Sequence, residues 1–547
     1  MEQSLKPFGA VPNERQLMHL EMEKKAFIHF GMNTFTSKEW GDGLEDPASF
    51  APTELDCRQW VRSLKEAGFG LIILTAKHHD GFCLWPSAVT EHSVKNSSYR
   101  GDVVKEFTDA CREYDVKAGL YLSPWDRNAP YWGQDAYNDY YAAQLEELLT
   151  NYGPLYEIWW DGAGSTETRY DWKRWVDLIR KYQPMAGIFG SLGASEYVDF
   201  RWVGNEQGRA GETHYASIDL IELQQENTDG LYTGRIGAEH YIVSETDVSI
   251  RPGWFYQPEQ DGQVKSVARL NRLWLESVGR NSLLLLNFPP DRRGLIGDKE
   301  IQNAIESHRC IEKMRATDYA ADAEITLDSA VLHEGLIVGQ TTQMTVELRL
   351  PERRKANVLM LGEPIELGER IVKFSVEAVT ENGAVSLAEG TSVGYNRAVL
   401  LPEGDYDHLR VQIEGVVPPI LKKWSLHYLE AVADEPVADT TGMNLMDLNG
   451  AKLEYSDEDR TMVGAFGGIY PFNFICFTLQ EAGSFEVFRF DGTRYRPLHA
   501  GETAANGGVR LKLEQEEEGS YQIMVKANRK IKKSAGLRVC LKIGDKK

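Results

Sequence analysis

Tyr156-Glu157-Ile158-Trp159-Trp160-Asp161-Gly162-Ala163-Gly164 is the stretch that decides the fold. Apolar and aromatic residues run up to a carboxylate, and glycines follow at once. This is the pattern of a buried parallel strand ending in an acid. The segment beyond it carries Trp172, Trp175, Val176 and Ile179 at helical spacing. Strand, acid and helix make one βα unit, with Asp161 where such folds place chemistry. An Asp-Gly pair is also an ordinary turn, so the rest of the chain has to decide between the two.

Seven further strand patterns flank this one: Ala26–Gly31, Leu71–Ala76, Ala118–Ser123, Gly187–Gly190, Val198–Val203, Tyr241–Ser244 and Ser282–Asn287. Helical faces lie between several of them. Trp60, Val61, Leu64 and Ala67 share one face; so do Val103, Phe107, Cys111 and Tyr114; so do Tyr137, Tyr141, Leu145 and Leu148. Val267, Leu270 and Trp274 suggest a helix before the last strand. Eight βα repeats predict an α/β fold, a closed (β/α)8 barrel over residues 1–318. The link between the sixth and seventh strands has the weakest pattern.

The texture changes after residue 318. Short alternating runs such as Met344–Leu350, Val358–Leu361 and Leu409–Ile413 are separated by turn signals such as Glu381-Asn382-Gly383. They predict a β-sandwich domain over 319–432. A second β-rich domain is expected over 433–547. There Phe485–Phe490 precedes Asp491-Gly492, and Asn506-Gly507 precedes Val509–Leu513, both read as hairpin turns.

The formal net charge is −22, which repels nucleic acid and anionic membranes and suits a small neutral partner. No hydrophobic run approaches the ~20 residues of a membrane span. Met1–Pro7 lacks the basic start and apolar core of a secretion signal, so a cytoplasmic protein, or a trimmed sequence, is expected. Cys57, Cys83, Cys111, Cys310, Cys476 and Cys540 have no metal or disulfide spacing and read as free, mostly buried thiols.

The polar groups at the predicted strand ends would converge on one face. They are His29 with Glu39 and Trp40; His78, His79 and Asp80; Tyr121, Ser123, Trp125 and Asp126; Asp161; Glu206; and Glu245 and Asp247 with Arg251 and Trp254. Rings stack on the apolar face of a sugar, and His, Glu and Arg bind its hydroxyls. Adjacent His78 and His79 would point to opposite faces of a strand, which argues against a metal pair. Retaining glycoside hydrolysis needs a carboxylate nucleophile and a second carboxyl as acid/base. Asp161 fits the first role, and Glu206 or Glu245 the second.

The sequence resembles the α-L-fucosidases of glycoside hydrolase family 29. The matching stretches are Phe27–Met32, Glu39-Trp40, Leu74–Phe82, His92–Asn96, Gly119–Ser123, Trp159–Gly162 and Asn281–Pro290. The resemblance implies a retaining, exo-acting mechanism with Asp161 as nucleophile. It also implies a fucose pocket lined by His29, Glu39, Trp40, His78, His79 and Tyr121. The run Trp202-Val203-Gly204-Asn205-Glu206 and the region Arg251–Tyr256 resemble the subfamily that acts on α-1,3/1,4-linked branches of Lewis-type glycans, in which this glutamate is the acid/base. Other members place the acid/base nearer Glu245, which stays the alternative to Glu206. No cofactor or metal is required. Rival readings are a broad α-L-fucosidase that also cuts α-1,2 links, a silent fucose-binding barrel, and a metal-dependent hydrolase built on His78 and His79.

Overall fold

Eight parallel strands close a barrel: β1 (Lys24–Ile28), β2 (Leu71–Lys77), β3 (Lys117–Leu122), β4 (Glu157–Trp159), β5 (Gly187–Phe189), β6 (Phe200–Trp202), β7 (Val243–Ser249) and β8 (Leu283–Asn287). Each pairs with the next in sequence, and β8 closes onto β1. The structure is a computed structural model. It describes residues 5–163, 169–190, 192–224 and 228–433, and beyond these the strand segments 445–447, 452–456, 461–466, 472–478, 483–490, 495–503, 508–517, 521–527 and 538–542.

The strands are apolar on both faces because both are covered. Phe27, Leu71, Ile73, Tyr121, Trp159, Phe189, Phe200, Val243, Leu283 and Leu285 fill the interior. Their neighbours Ala26, Ile72, Leu74, Leu120, Ile158, Ile188 and Leu284 pack outward against the helices. Helices Cys57–Glu66, Val103–Glu113, Ala136–Asn151, Trp172–Tyr182 and Val267–Glu276 follow the periodic faces read from sequence. Asp56, Asp102, Asp171 and Ser266 cap four of them with side-chain oxygens. The indistinct link between β6 and β7 holds a small antiparallel pair (Ser217–Ile218 with His240–Tyr241) and two short helices.

One boundary differs from expectation in a way that matters. The seventh strand is not Tyr241–Ser244 but Val243–Ser249. The run Glu245-Thr246-Asp247 is polar, so pattern reading ended the strand before it. Here Glu245 and Asp247 point into a barrel that supplies partners for them, and Thr246 between them donates its hydroxyl to the Leu283 carbonyl (2.7 Å).

The chain divides into two compact units, Met1–Glu435 and Pro436–Lys547. The first unit also holds a sheet ordered Glu324–Asp328, Gln343–Gly362, Arg397–Gly415, Ile371–Thr380, Gly383–Gly390, with Lys423–His427 paired to Gln343–Gly362. This sheet is tied to the barrel. Glu369 accepts from the backbone N–H groups of Ala216 and Ser217, and Ile365 joins the barrel's interior cluster.

The second unit has a four-stranded and a five-stranded antiparallel sheet. Strands Gly483–Phe490 and Tyr495–Thr503 pair as a hairpin. The expected turn residues Asp491-Gly492 and Asn506-Gly507 lie outside the described residues. Among the described residues the strands on either side of the second turn do not pair as a hairpin: Tyr495–Thr503 and Gly508–Glu517 belong to different sheets. Among the described residues no helix is long and apolar enough to cross a membrane. Cys57, Cys83 and Cys111 are buried free thiols and Cys310 is half-buried; the side chains of Cys476 and Cys540 lie outside the described residues.

Candidate active site

Along β4 the inward positions are every second residue: Glu157 and Trp159 are buried inside, and Asp161, two residues on, stands at the mouth. Its side chain is 28% exposed. Oδ2 accepts a hydrogen bond from the Tyr121 hydroxyl (3.0 Å), and Oδ1 accepts from the backbone N–H of Ala163 (2.8 Å). Gly164 lies outside the described residues. Asp161 is therefore aimed out of the barrel and fixed in direction.

Glu206 follows β6 at the same mouth. Its Oε2 accepts from the indole N–H of Trp254 at 3.4 Å. Burial, with the charges of Asp161 and Glu39 nearby, pushes its carboxyl up to about 7; the Trp254 N–H pulls the other way. Glu39 is braced on the opposite loop. It accepts from the backbone N–H of Trp254 (2.9 Å) and the side-chain amide of Gln257 (2.8 Å).

Three imidazoles complete the lining, and their partners set their hydrogen-bonding polarity. The Asn287 amide nitrogen donates to Ser249 Oγ and to the Trp254 carbonyl, so its oxygen accepts from Nδ1 of His29 (3.0 Å). Ser123 donates its one proton to the Trp125 carbonyl, so it accepts from Nδ1 of His79 (2.8 Å). In both rings Nε2 is left bare. His78 is the reverse: its Nδ1 faces the Asn33 amide nitrogen, a donor, at 3.4 Å, which leaves the proton on Nε2. Burial keeps all three neutral, His29 at about 3, His79 at about 4, and His78 well below its ordinary value. Nε2 of His79 stands 3.7 Å from Oδ2 of Asp161. Trp40 meets His79 and Trp125 edge-on, each at 5.5 Å, and Trp254 leans over His29 at 5.0 Å.

Three expectations do not hold. Glu245 is not at a strand end; it is third of seven residues in β7, fully buried, bonded to Lys25 and to the indole N–H of Trp159 (3.1 Å). Arg251 is not free to hold a ligand. Its guanidinium is committed to Glu300 (2.5 Å) and Asp261 (2.9 Å), and it braces the loop that carries Trp254. His78 and His79 do not point apart. β2 ends at Lys77, so strand alternation no longer governs them, and their rings lie 4.0 Å apart. The loop is held tight where Gly81 has φ 78°; a Cβ there would lie 2.2 Å from Asp126.

Asp247, expected among the strand-end groups but without a role, belongs to the site. It is buried two residues beyond Glu245 on the same inward face, and it accepts from the indole N–H of Trp202 (3.0 Å). Burial and the charges of Glu206 and Asp161 push it well above the usual carboxylate range. Asn287 and Gln257 were missed; only the period-2 inward register of β8 could have signalled Asn287. Among the described residues no group of three or more His, Cys, Asp or Glu is arranged to hold a metal ion.

The arrangement offers one fixed, partly exposed carboxylate, one carboxyl that keeps its proton near neutrality, and neutral imidazoles among aromatic walls. The profile of the family described as alpha-L-fucosidase matches residues 12–307. Alpha-L-fucosidase 1 of Arabidopsis thaliana is 38% identical over 419 residues, 72% of this chain and 82% of that protein. A glycoside hydrolase 29 family member from an unknown rumen bacterium superposes with a TM-score of 0.73 at 32% identity, over 98% of this chain and 100% of that one. A glycoside hydrolase 29 fucosidase of Ruminococcus gnavus, solved in complex with fucose, gives 0.71 at 28% identity, over 78% of this chain and 97% of that one.

Proposed function

The chain belongs to the alpha-L-fucosidase family, and from that premise we propose how its mouth removes an α-L-fucosyl unit. We propose a retaining, exo-acting enzyme that takes terminal α-1,3/1,4-linked fucose from branched, Lewis-type glycans. Asp161 attacks the anomeric carbon, and the glycosidic bond breaks as Glu206 gives its proton to the leaving oxygen. A covalent fucosyl-enzyme results. Glu206, now a carboxylate, takes a proton from water; the oxygen attacks the same carbon, and Asp161 leaves with its charge restored.

His29, His78, His79, Glu39 and Tyr121 bind ring hydroxyls in this reading. Trp40 or Trp254 faces the C6 methyl, which has no hydroxyl and suits an apolar wall. The observation that carries it is the contrast between two acids from separate strands. Asp161 receives two hydrogen bonds at the mouth, whereas Glu206 is half-buried and raised to about 7 beside it.

The test is Asp161→Gly. Turnover of an aryl α-L-fucoside should be almost abolished, and added azide should restore it as a fucosyl azide. Turnover that survives the substitution sinks the assignment. The linkage claim is tested separately, by following free fucose from Lewis-type trisaccharides and from 2′-fucosyllactose.

A further inference from the structure

Glu245 has no part in the chemistry above, yet it is fully buried beneath the site and takes two direct bonds. One is from the ammonium of Lys25; the other is from the indole N–H of Trp159, at 3.1 Å. Lys25 also donates to Glu157 at 2.7 Å. Burial and the charge of Glu245 push the Glu157 carboxyl well above its usual range.

Trp159 is the second of four rings stacked across the barrel. Phe189 and Trp159 lie 4.0 Å apart at 5°, Trp159 and Tyr121 5.3 Å apart at 18°, and Tyr121 and His78 5.6 Å apart at 13°. The rings come from β5, β4, β3 and the loop after β2, and the last two line the mouth. Face-to-face rings tolerate in-plane sliding, whereas a hydrogen bond is directional. The stack therefore takes its register from its polar edges. At the inner edge, the Trp159 N–H is held by Glu245. At the outer edge, the Tyr121 hydroxyl holds Asp161 at 3.0 Å.

We infer that Glu245, itself anchored by Lys25, is a positioning residue: it fixes the register of the ring stack and, through Tyr121, the direction of the Asp161 carboxylate. The inference rests on Asp161 being the nucleophile. A shift of about 1 Å at a reacting group can cost on the order of a hundredfold in rate, so an anchor two rings away is enough to matter.

The cleanest test is Trp159→Phe, which keeps an aromatic ring in the stack and the Lys25–Glu245 pair intact but removes the N–H. On an aryl fucoside kcat should fall roughly ten- to a hundredfold with KM changed by no more than about twofold, as for a group felt in the transition state. In a Tyr121→Phe background the same substitution should add less than about threefold, because its effect runs through the lost hydroxyl. A merely structural role predicts full, multiplicative loss in both backgrounds, or none in either; each result overturns the inference. If Trp159→Phe does not fold, Glu245→Gln is put through the same cycle. Asp161→Gly with azide is run alongside. Rescue there upholds the nucleophile whatever Trp159→Phe does; absence of rescue removes the premise and the inference with it.

Discussion

The indole N–H of Trp254 donates to Oε2 of Glu206 across 3.4 Å, while the backbone N–H of Trp254 is held by Glu39. One residue thus links the proposed acid/base to the opposite loop. If Glu206 is the proton donor, Glu206→Gln should cost roughly 10²–10⁴ in kcat on a branched oligosaccharide, the usual range for general acid catalysis. On an activated aryl fucoside the first step should lose far less, because that leaving group needs no proton. Glu245→Gln should show no such contrast between the two substrates. The reverse pattern, with Glu206→Gln near wild type on both, would return the role to Glu245.

The pH profile follows from the same carboxyl. Glu206 must be protonated to act, and its pKa is raised to about 7. On the basic side, kcat/KM therefore falls as pH rises through about 7. Glu39 contributes a repelling charge, so Glu39→Gln should move this basic limb to lower pH. The Trp254 N–H favours the ionised form, so Trp254→Phe should move the limb upward. No histidine limb should appear near the ordinary value of about 6.5, because His29 and His79 stay neutral down to about 3 and 4. A limb that ignores both substitutions would mean that Glu206 does not set it.

Much of this site was legible from residue pattern, and the misses have physical causes. Asp161 was found because an apolar run ending in Asp-Gly leaves few other readings once eight βα repeats surround it. The alternation along β4 then put Trp159 inside and Asp161 at the mouth. Glu245 was misplaced because a strand that carries Glu and Asp on its inner face, with Thr between them, looks finished to any reading by hydrophobicity. It is a strand because Lys25, Trp159 and Trp202 satisfy those carboxylates from other strands, and such cross-barrel pairings leave no local trace. Arg251 looked like a ligand-binding arginine for the same reason: Glu300, its partner, is 49 residues away. The polarity of the histidines was also invisible, since it depends on Asn287, Ser123 and Asn33.

That polarity makes its own prediction. His29 and His79 leave Nε2 bare, so a sugar hydroxyl facing either must donate; one facing His78 can accept. Replacing a donating hydroxyl with fluorine removes the proton it needs, at a loss of ~tenfold for one hydrogen bond. Inhibition by a series of monodeoxyfluoro-L-fucoses should therefore be uneven. Positions facing His29 or His79 should bind about tenfold weaker than the parent sugar, and the position facing His78 should be tolerated. Fluorine tolerated equally at every position would show that the rings switch tautomer on binding, and equal weakening at every position that their polarity does not set the loss.

The loop after β3 depends on a buried ion pair. Nζ of Lys77 donates to Asp126 at 2.8 Å and to Gln144 at 2.8 Å, with both charged side chains fully buried. The other oxygen of Asp126 accepts from the backbone N–H groups of Asn128 and Ala129, shaping the turn that carries Trp125. Asp126→Ala leaves a buried ammonium with one neutral partner and two N–H groups with none. Removing one member of such a pair costs about 3–5 kcal/mol. Lys173 and Asp177 are as close, at 2.6 Å, but both are well exposed, and water replaces the lost partner; Asp177→Ala should leave stability unchanged. The check is urea unfolding followed by tryptophan fluorescence. The midpoint should drop clearly for Asp126→Ala and stay in place for Asp177→Ala. Aryl-fucoside turnover below the transition should also fall for Asp126→Ala, since Trp125 receives the Ser123 hydroxyl that orients His79. A stable Asp126→Ala protein with wild-type turnover would mean that the pair neither holds the loop nor serves the site.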